Sequence, residues 1–188
     1  MSQHAMLVDV SRCIECKSCI VACKQENGLQ TGDWWLRVWR REHLENNLVR
    51  FYNTQSCRHC VDPVCQFVCP VGAIQRGEDG LVIQDDEKCL GCHVCVTSCP
   101  HSGMKIMTNG KVGKCTLCSH RLQRGKEPTC ATICPVNARV YGEREEILHE
   151  ASKRMAELRA KGMHVHLEGA DMEQEQTAVV YLLIDTQN

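Results

Sequence analysis

Sixteen cysteines in four groups are the residues whose type and spacing could do chemistry in this 188-residue sequence. Groups one and three share the spacing C-x2-C-x2-C-x3-C, whereas groups two and four carry an insertion between their second and third cysteine. The groups are, in order, Cys13, Cys16, Cys19, Cys23; Cys57, Cys60, Cys65, Cys69; Cys89, Cys92, Cys95, Cys99; and Cys115, Cys118, Cys130, Cys134. Such cysteines could bind zinc, form disulfides or hold iron–sulfur clusters.

The spacing favours clusters over the two simpler alternatives. Structural zinc usually takes two separated pairs of ligands, so three cysteines at x2-x2 spacing leave an odd ligand in every group. Disulfides belong to oxidising compartments, and no basic-plus-apolar signal segment follows Met1, so we expect a cytoplasmic protein; export alongside a signal-bearing partner is the alternative. The run C-x2-C-x2-C-x3-C-P is typical of two-cluster ferredoxins, in which the fourth cysteine ligates the other cluster. The sequence therefore predicts four [4Fe–4S] clusters.

Short strands must position the cysteine groups. Strand-like segments flank the groups at residues 5–10, 73–75 and 80–83. Residues 33–52 alternate well enough to predict an inserted β-hairpin with a turn near residues 46–47. The polar and basic insertion at residues 119–129 predicts a surface loop. This alternation of strand, cysteine loop and short helix is typical of a ferredoxin module.

The sequence changes character after group four. Apolar residues at helical spacing predict a helix over residues 143–161, with Gly162 as its stop and Glu150–Arg154 as a favourable charge pair. A linker is expected next, followed by a final apolar strand over residues 177–184.

Composition excludes several classes of function. The sequence has no P-loop, no dinucleotide fingerprint and no nucleophile with its base, so no catalytic site is expected. No apolar run approaches the ~18 residues of a membrane span. The formal net charge is −1, and because each oxidised cluster with its four thiolates adds about −2, the holoprotein would carry roughly −9. Nucleic acid is therefore not an expected partner. Lys105, Lys111 and Lys114 are expected at the surface.

The sequences CRHCVDPVCQFVCP of group two and CTLCSHRLQRGKEPTCATICPVNA of group four resemble the iron–sulfur subunits of the dimethyl sulfoxide reductase family. The tail segments ASKRMAELRAKG and TAVVYLLI resemble those of formate dehydrogenase β subunits, which are of the same type. The resemblance implies an α+β fold of two ferredoxin-like modules of the bacterial 2[4Fe–4S] kind, related by pseudo-twofold symmetry. Residues 1–56 with 111–142 would form the first module and residues 57–110 the second. Residues 143–188 would add a helix and a strand for partner docking.

The same resemblance pairs group one with group four and group two with group three. It implies four sites: site A from Cys13, Cys16, Cys19 and Cys134; site B from Cys23, Cys115, Cys118 and Cys130; site C from Cys57, Cys60, Cys65 and Cys99; and site D from Cys69, Cys89, Cys92 and Cys95. Because sixteen cysteines fill sixteen ligand positions, no histidine is expected as a ligand.

The resemblance implies an electron-transfer subunit that relays electrons between a molybdenum- or tungsten-pterin catalytic subunit and another redox partner. That partner enzyme could be a formate dehydrogenase, an oxyanion or sulfur-compound reductase, or an aldehyde oxidoreductase. A free-standing polyferredoxin shuttle and a stack of self-associated copies stay open as alternatives. Trp34, Trp35 and Trp39 on the predicted hairpin favour a docked subunit, since a shuttle needs little docking surface.

Overall fold

The computed structural model describes residues 4–43, 49–170 and 176–185. Ten strands lie in this part of the chain: β1 (His4–Asp9), β2 (Arg37–His43), β3 (Val49–Gln55), β4 (Ile74–Arg76), β5 (Val82–Gln84), β6 (Met104–Ile106), β7 (Val112–Lys114), β8 (Arg139–Glu143), β9 (Val165–Glu168) and β10 (Val179–Ile184). Six helices accompany them: α1 (Ser18–Glu26), α2 (Val64–Phe67), α3 (Val94–Ser98), α4 (Ser119–Leu122), α5 (Thr129–Thr132) and α6 (Arg144–Ala160). The mixture confirms the α+β class.

A four-stranded sheet of order β8-β1-β10-β9 separates two apolar cores. β1 runs parallel to β10 and antiparallel to β8. Successive side chains of a strand point to opposite faces, so Ala5 and Leu7 of β1 pack with Ile147 and other apolar residues of α6. Met6 on the other face joins a core that contains cysteines of groups one and four. The sheet thus carries a cysteine-free core on one side and a cysteine-lined core on the other.

The tail contains the predicted helix and final strand, and also a strand that periodicity missed. α6 ends before Gly162, whose φ of +78° is the left-handed conformation of a glycine C′ residue. β9, expected as linker, pairs antiparallel with β10. Among the described residues, Arg154 pairs with Asp9 at 3.1 Å and Glu150 with Arg12 at 3.5 Å. The expected Glu150–Arg154 pair thus gives way to contacts between the helix and the start of the chain.

β2 and β3 form the predicted antiparallel hairpin. Its expected turn near residues 46–47 lies outside the described residues. Trp39 is on β2 as expected, but Trp34 and Trp35 precede the strand, which begins only at Arg37. The Lys24 ammonium lies over the Trp34 ring at 4.5 Å.

Two small hairpins, β4–β5 and β6–β7, support the middle cysteine groups. With α2 and α3 they enclose a third core in which Cys65 and Cys95 pack among aliphatic side chains. The boundary predicted between residues 110 and 111 falls inside the β6–β7 hairpin, and α4 forms within the predicted surface loop at residues 119–129. No helix of the described ranges is both long and apolar enough to cross a membrane.

The segment before β10 ties the tail to cysteine group two. The Ala178 N–H donates to the His59 carbonyl at 3.1 Å, and the Val61 N–H donates to the Gln176 carbonyl at 2.9 Å. Cys60 and Thr177 form an antiparallel bridge. The C-terminal strand therefore holds group two on one side while it completes the sheet with β1 on the other.

Candidate metal centres

Groups one and three share an unusual backbone. In group one, Glu15 and Lys17 have φ near +60°. Gly91 and His93, which stand at the equivalent positions of group three, also have φ near +60°. Residues other than glycine seldom adopt this left-handed conformation, so it indicates a loop whose shape is imposed by its surroundings. Backbone turns of this type direct successive N–H groups toward an anionic centre. The two loops are thus built alike for the same kind of occupant.

Groups two and four share another arrangement. His59 and Leu117 both have φ near +50°. The His59 N–H donates to Cys57 Sγ at 3.5 Å, and the Leu117 N–H donates to Cys115 Sγ at 3.3 Å. Such hydrogen bonds favour the thiolate form and are among the features that set the reduction potential of a cluster.

The fourth cysteine of three groups is followed by a proline and a common turn. In each of these turns, the N–H four residues after the cysteine donates to its sulfur. The three pairs are Ala73 to Cys69 at 3.2 Å, Gly103 to Cys99 at 3.3 Å and Ala138 to Cys134 at 3.2 Å. Proline cannot continue a helix, and the short helices end one or two residues before these cysteines.

Group one departs from this pattern because Lys24 replaces the proline. α1 therefore continues to Glu26 and is nine residues long. Cys23 Sγ instead receives a longer contact from the Asn27 side-chain amide at 3.7 Å.

Three cavities are each lined by four cysteines, drawn from two different groups. Site A's four cysteines line one cavity, site B's four line a second and site D's four line a third. Their empty volumes are similar, about 430, 400 and 350 Å³. In site C, burial raises the pKa of the Cys65 thiol to about 11, and the nearby Cys57 and Cys99 contribute to this rise. Among the described residues, no three Cys, His, Asp or Glu side chains close on a single metal ion.

The thiols of these cavities fit a positively charged group. Burial and the neighbouring Cys130 and Cys118 raise the pKa of Cys23 to about 12. Burial and the neighbouring Cys69 raise the pKa of Cys95 to about 11. Clustered thiols of this kind stay neutral by themselves, and a bound cationic metal core deprotonates them. The donor set, the sulfur-directed N–H groups and the cavities thus suit iron–sulfur clusters.

Two cationic side chains near these cavities had not been expected there. Lys114, which the sequence placed at the surface, is 2% exposed, and Arg139 is 4% exposed. No sequence period marks Lys114 as buried, because all three residues of β7 are buried, Gly113 included.

Comparisons with known proteins agree with this chemistry. The family model described as a 4Fe-4S dicluster domain matches residues 48–144. The anaerobic dimethyl sulfoxide reductase of Escherichia coli has a polypeptide designated B that is 35% identical, over 78% of this chain and 76% of its own length. The polypeptide designated B of the Archaeoglobus fulgidus tetrathionate reductase is 38% identical, over 75% and 67%. The iron–sulfur subunit of the nitrate-inducible formate dehydrogenase of E. coli is 34% identical, over 86% and 61%.

The four-cysteine cavities and the α+β fold define an iron–sulfur protein. This protein belongs to the 4Fe-4S dicluster family, among the iron–sulfur subunits of the dimethyl sulfoxide reductase and formate dehydrogenase type. It is an electron-transfer subunit with four [4Fe–4S] clusters rather than a catalytic subunit, which confirms the clusters predicted from the cysteine spacing and the function and class that the family resemblance implied.

Proposed function

We propose that the chain relays electrons between a molybdenum- or tungsten-pterin catalytic subunit and a further redox partner, in a cytoplasmic complex. The names of the relatives support an oxidoreductase complex. The main observation that supports electron relay is the set of cavities in which cysteines from two groups meet. Each cluster supplies a one-electron site, and the protein sets its position, its surroundings and its exposure to a partner.

Sites A, B, C and D are the proposed ligand sets. The cavity linings support A, B and D, and the proximity of Cys57 and Cys99 to Cys65 supports C. The matching loop conformations of groups one and three, and of groups two and four, support two ferredoxin-like modules with pseudo-twofold symmetry. The division into residues 1–56 with 111–142, 57–110 and 143–188 stays part of this proposal. Docking by the last segment would use the charged face of α6, because its apolar face packs on the sheet.

The neighbours of three cysteine thiols support the linear order A, B, C, D. Burial and the nearby Cys130 of site B raise the pKa of Cys19 in site A. Burial raises the pKa of Cys115 in site B well above its usual value, and Cys57 of site C contributes. Cys95 of site D contributes in the same way to Cys65 of site C. Each site thus adjoins the next, as a relay requires.

The two ends of this order reach the surface. Cys16 of site A and Cys92 of site D are the exposed cysteines among the sixteen. Ile14 and Leu90 stand two residues before them and are 55% and 71% exposed, and Phe67 is 74% exposed. Exposed apolar side chains beside a redox centre are typical of a docking surface. We assign electron entry and exit to these two ends.

Paired serine substitutions test the ligand sets. Cys16→Ser with Cys134→Ser should remove about four irons per chain, no more than either single change, because both cysteines serve one cluster. Cys16→Ser with Cys23→Ser should remove about eight, because these neighbours in sequence serve different clusters. Iron and acid-labile sulfide analysis gives the counts, and the unsubstituted chain should contain about sixteen of each. The reverse pattern would show that the groups do not exchange their fourth cysteine.

Native size and metal content test the partner. We expect the chain to elute from native extract with a larger subunit that contains molybdenum or tungsten. One of two variants, Leu90→Ser with Phe67→Ser at one end or Ile14→Ser at the other, should reduce the metal that co-elutes at least tenfold, because only one end contacts the metal-containing subunit. Ile106→Ser is the control, since Ile106 is 55% exposed but outside the cysteine groups. Elution as a 21.2 kDa species without either metal would favour the shuttle.

A further inference from the structure

Among the described residues, the buried cations Arg139 and Lys114 hydrogen-bond to uncharged protein groups, and Arg139 also hydrogen-bonds to the thiol of Cys19 in site A. The Arg139 guanidinium donates to Thr54 Oγ1 and, at 3.8 Å, to Met6 Sδ. The Lys114 ammonium donates to the Val82 carbonyl and, at 2.7 Å, to the Cys115 carbonyl. Neutral acceptors hold the two side chains in place but carry no opposite charge.

Neither cation has a carboxylate partner within the part of the chain that the structure describes. The buried carboxylate of Asp9, by contrast, has its charge compensated, because Arg154 and Arg12 pair with it at 3.1 and 3.4 Å. A buried charge is costly unless an opposite charge compensates it. The counter-charge of Arg139 and Lys114 therefore has to come from another component of the folded protein.

The positions of the two cations identify that component. Arg139 lines both the site A cavity and the site B cavity. Lys114 directly precedes Cys115 of site B, and its charge opposes the rise that burial causes in the pKa of Cys65 in site C. One cation thus lies between sites A and B and the other between sites B and C. The side chains that line the site D cavity include no lysine or arginine.

We propose that Arg139 and Lys114 are the counter-charges of the clusters on either side of them, and that they raise the reduction potentials of those clusters. The proposal deepens the relay function and rests on its ligand sets. A [4Fe–4S] cluster with four thiolates gains one negative charge when it accepts an electron, and a fixed cation nearby stabilises that reduced state. A cation between two clusters also weakens the repulsion between electrons on adjacent sites. Site D receives neither effect.

Charge removal at constant side-chain size tests the proposal. In the iron-loaded chain, Lys114→Met should lower the potentials of two of the four clusters, B and C, and Arg139→Met should lower those of A and B. At a fixed potential, we expect the ratio of reduced to oxidised cluster to fall at least tenfold. This corresponds to a potential lowered by about 59 mV for a one-electron couple. Redox titration followed by electron paramagnetic resonance measures it.

Three variants serve as controls. Lys114→Arg and Arg139→Lys keep the charge and should leave the potentials close to those of the unsubstituted chain. Lys111→Met removes a partly exposed lysine whose ammonium contacts the Asp86 carbonyl, and should also leave the potentials unchanged.

The outcomes separate the proposal from the ligand sets beneath it. Full iron with unchanged potentials in both methionine variants would overturn it, as would equal shifts in the methionine variants and their charge-keeping controls. Iron loss in Lys114→Met with full iron in Lys114→Arg would support it, because methionine fills the space of the lysine stem but lacks its charge and its hydrogen bonds to the Val82 and Cys115 carbonyls, whereas arginine keeps a charged donor. Iron loss in both would count against it. An unsubstituted chain without iron would instead contradict the relay function.

Discussion

Removing the iron from the purified chain is expected to unfold it rather than merely inactivate it. Of the three apolar cores formed by the described residues, two contain cysteines, and the core of the middle hairpins packs Cys65 and Cys95 among its aliphatic residues. In small metal-binding domains, the free energy of metal binding is free energy of folding. We expect loss of the near-ultraviolet circular dichroism signal and of amide protection in β4 to β7 after chelation under reducing conditions.

The loss of structure on iron removal should differ between the two faces of the four-stranded sheet. The core between α6 and the sheet contains no cysteine, so any helical signal left after chelation should come from α6. Addition of iron and sulfide should restore the native signal, and addition of zinc is the control that should not. A cluster-free preparation with unchanged far-ultraviolet circular dichroism and an unchanged thermal midpoint would contradict this expectation.

Gly103→Ala should selectively destroy the cluster at site C. A Cβ atom at this position would stand 2.8 Å from Cys57 Cα and 3.3 Å from Cys57 N, and backbone atoms cannot move aside as a flexible side chain can. The Gly103 N–H also donates to Cys99 Sγ. The added methyl group would therefore force two proposed ligands of one cluster apart. We expect iron to fall from about sixteen to about twelve per chain.

Gly142→Ala is the matched control for that substitution. Its Cβ would meet only Ile147, at the ordinary contact distance of 3.7 Å. Ala73 and Ala138 occupy the position equivalent to Gly103 after groups two and four, so the turn itself tolerates a Cβ atom. Full iron in Gly103→Ala with an unchanged resonance spectrum would mean that Cys57 and Cys99 do not share a cluster.

The cluster chemistry could be predicted from the sequence because its signal is local. Three cysteines within seven residues wrap one corner of a cluster, and that spacing does not depend on the rest of the fold. The long α6 and the β2–β3 hairpin were also predictable, since both elements are long enough to show a period. β9 was missed because four residues, Val165–Glu168, are too few to establish alternation.

The surroundings of the clusters were harder to predict because they arise from contacts between distant segments. Arg139 reaches Thr54 and Met6, and Lys114 reaches Val82. From the sequence alone, a lysine that precedes a cysteine is expected at the protein surface. Only the folded chain shows that its neighbours on both sides bury it.

The position of β10 has a consequence for biosynthesis. Met6 of β1 pairs with Val179 of β10, so the sheet cannot be completed until residue 179 has left the ribosome. Loop closure over such a distance is slow compared with the pairing of a local hairpin such as β4–β5. The nascent chain therefore exposes the apolar edge of β1 until β10 emerges, and a chaperone could bind it during that interval. Cluster insertion at sites A and B should follow the pairing of β1 with β10, whereas sites C and D, formed by residues 57–99, could be loaded earlier.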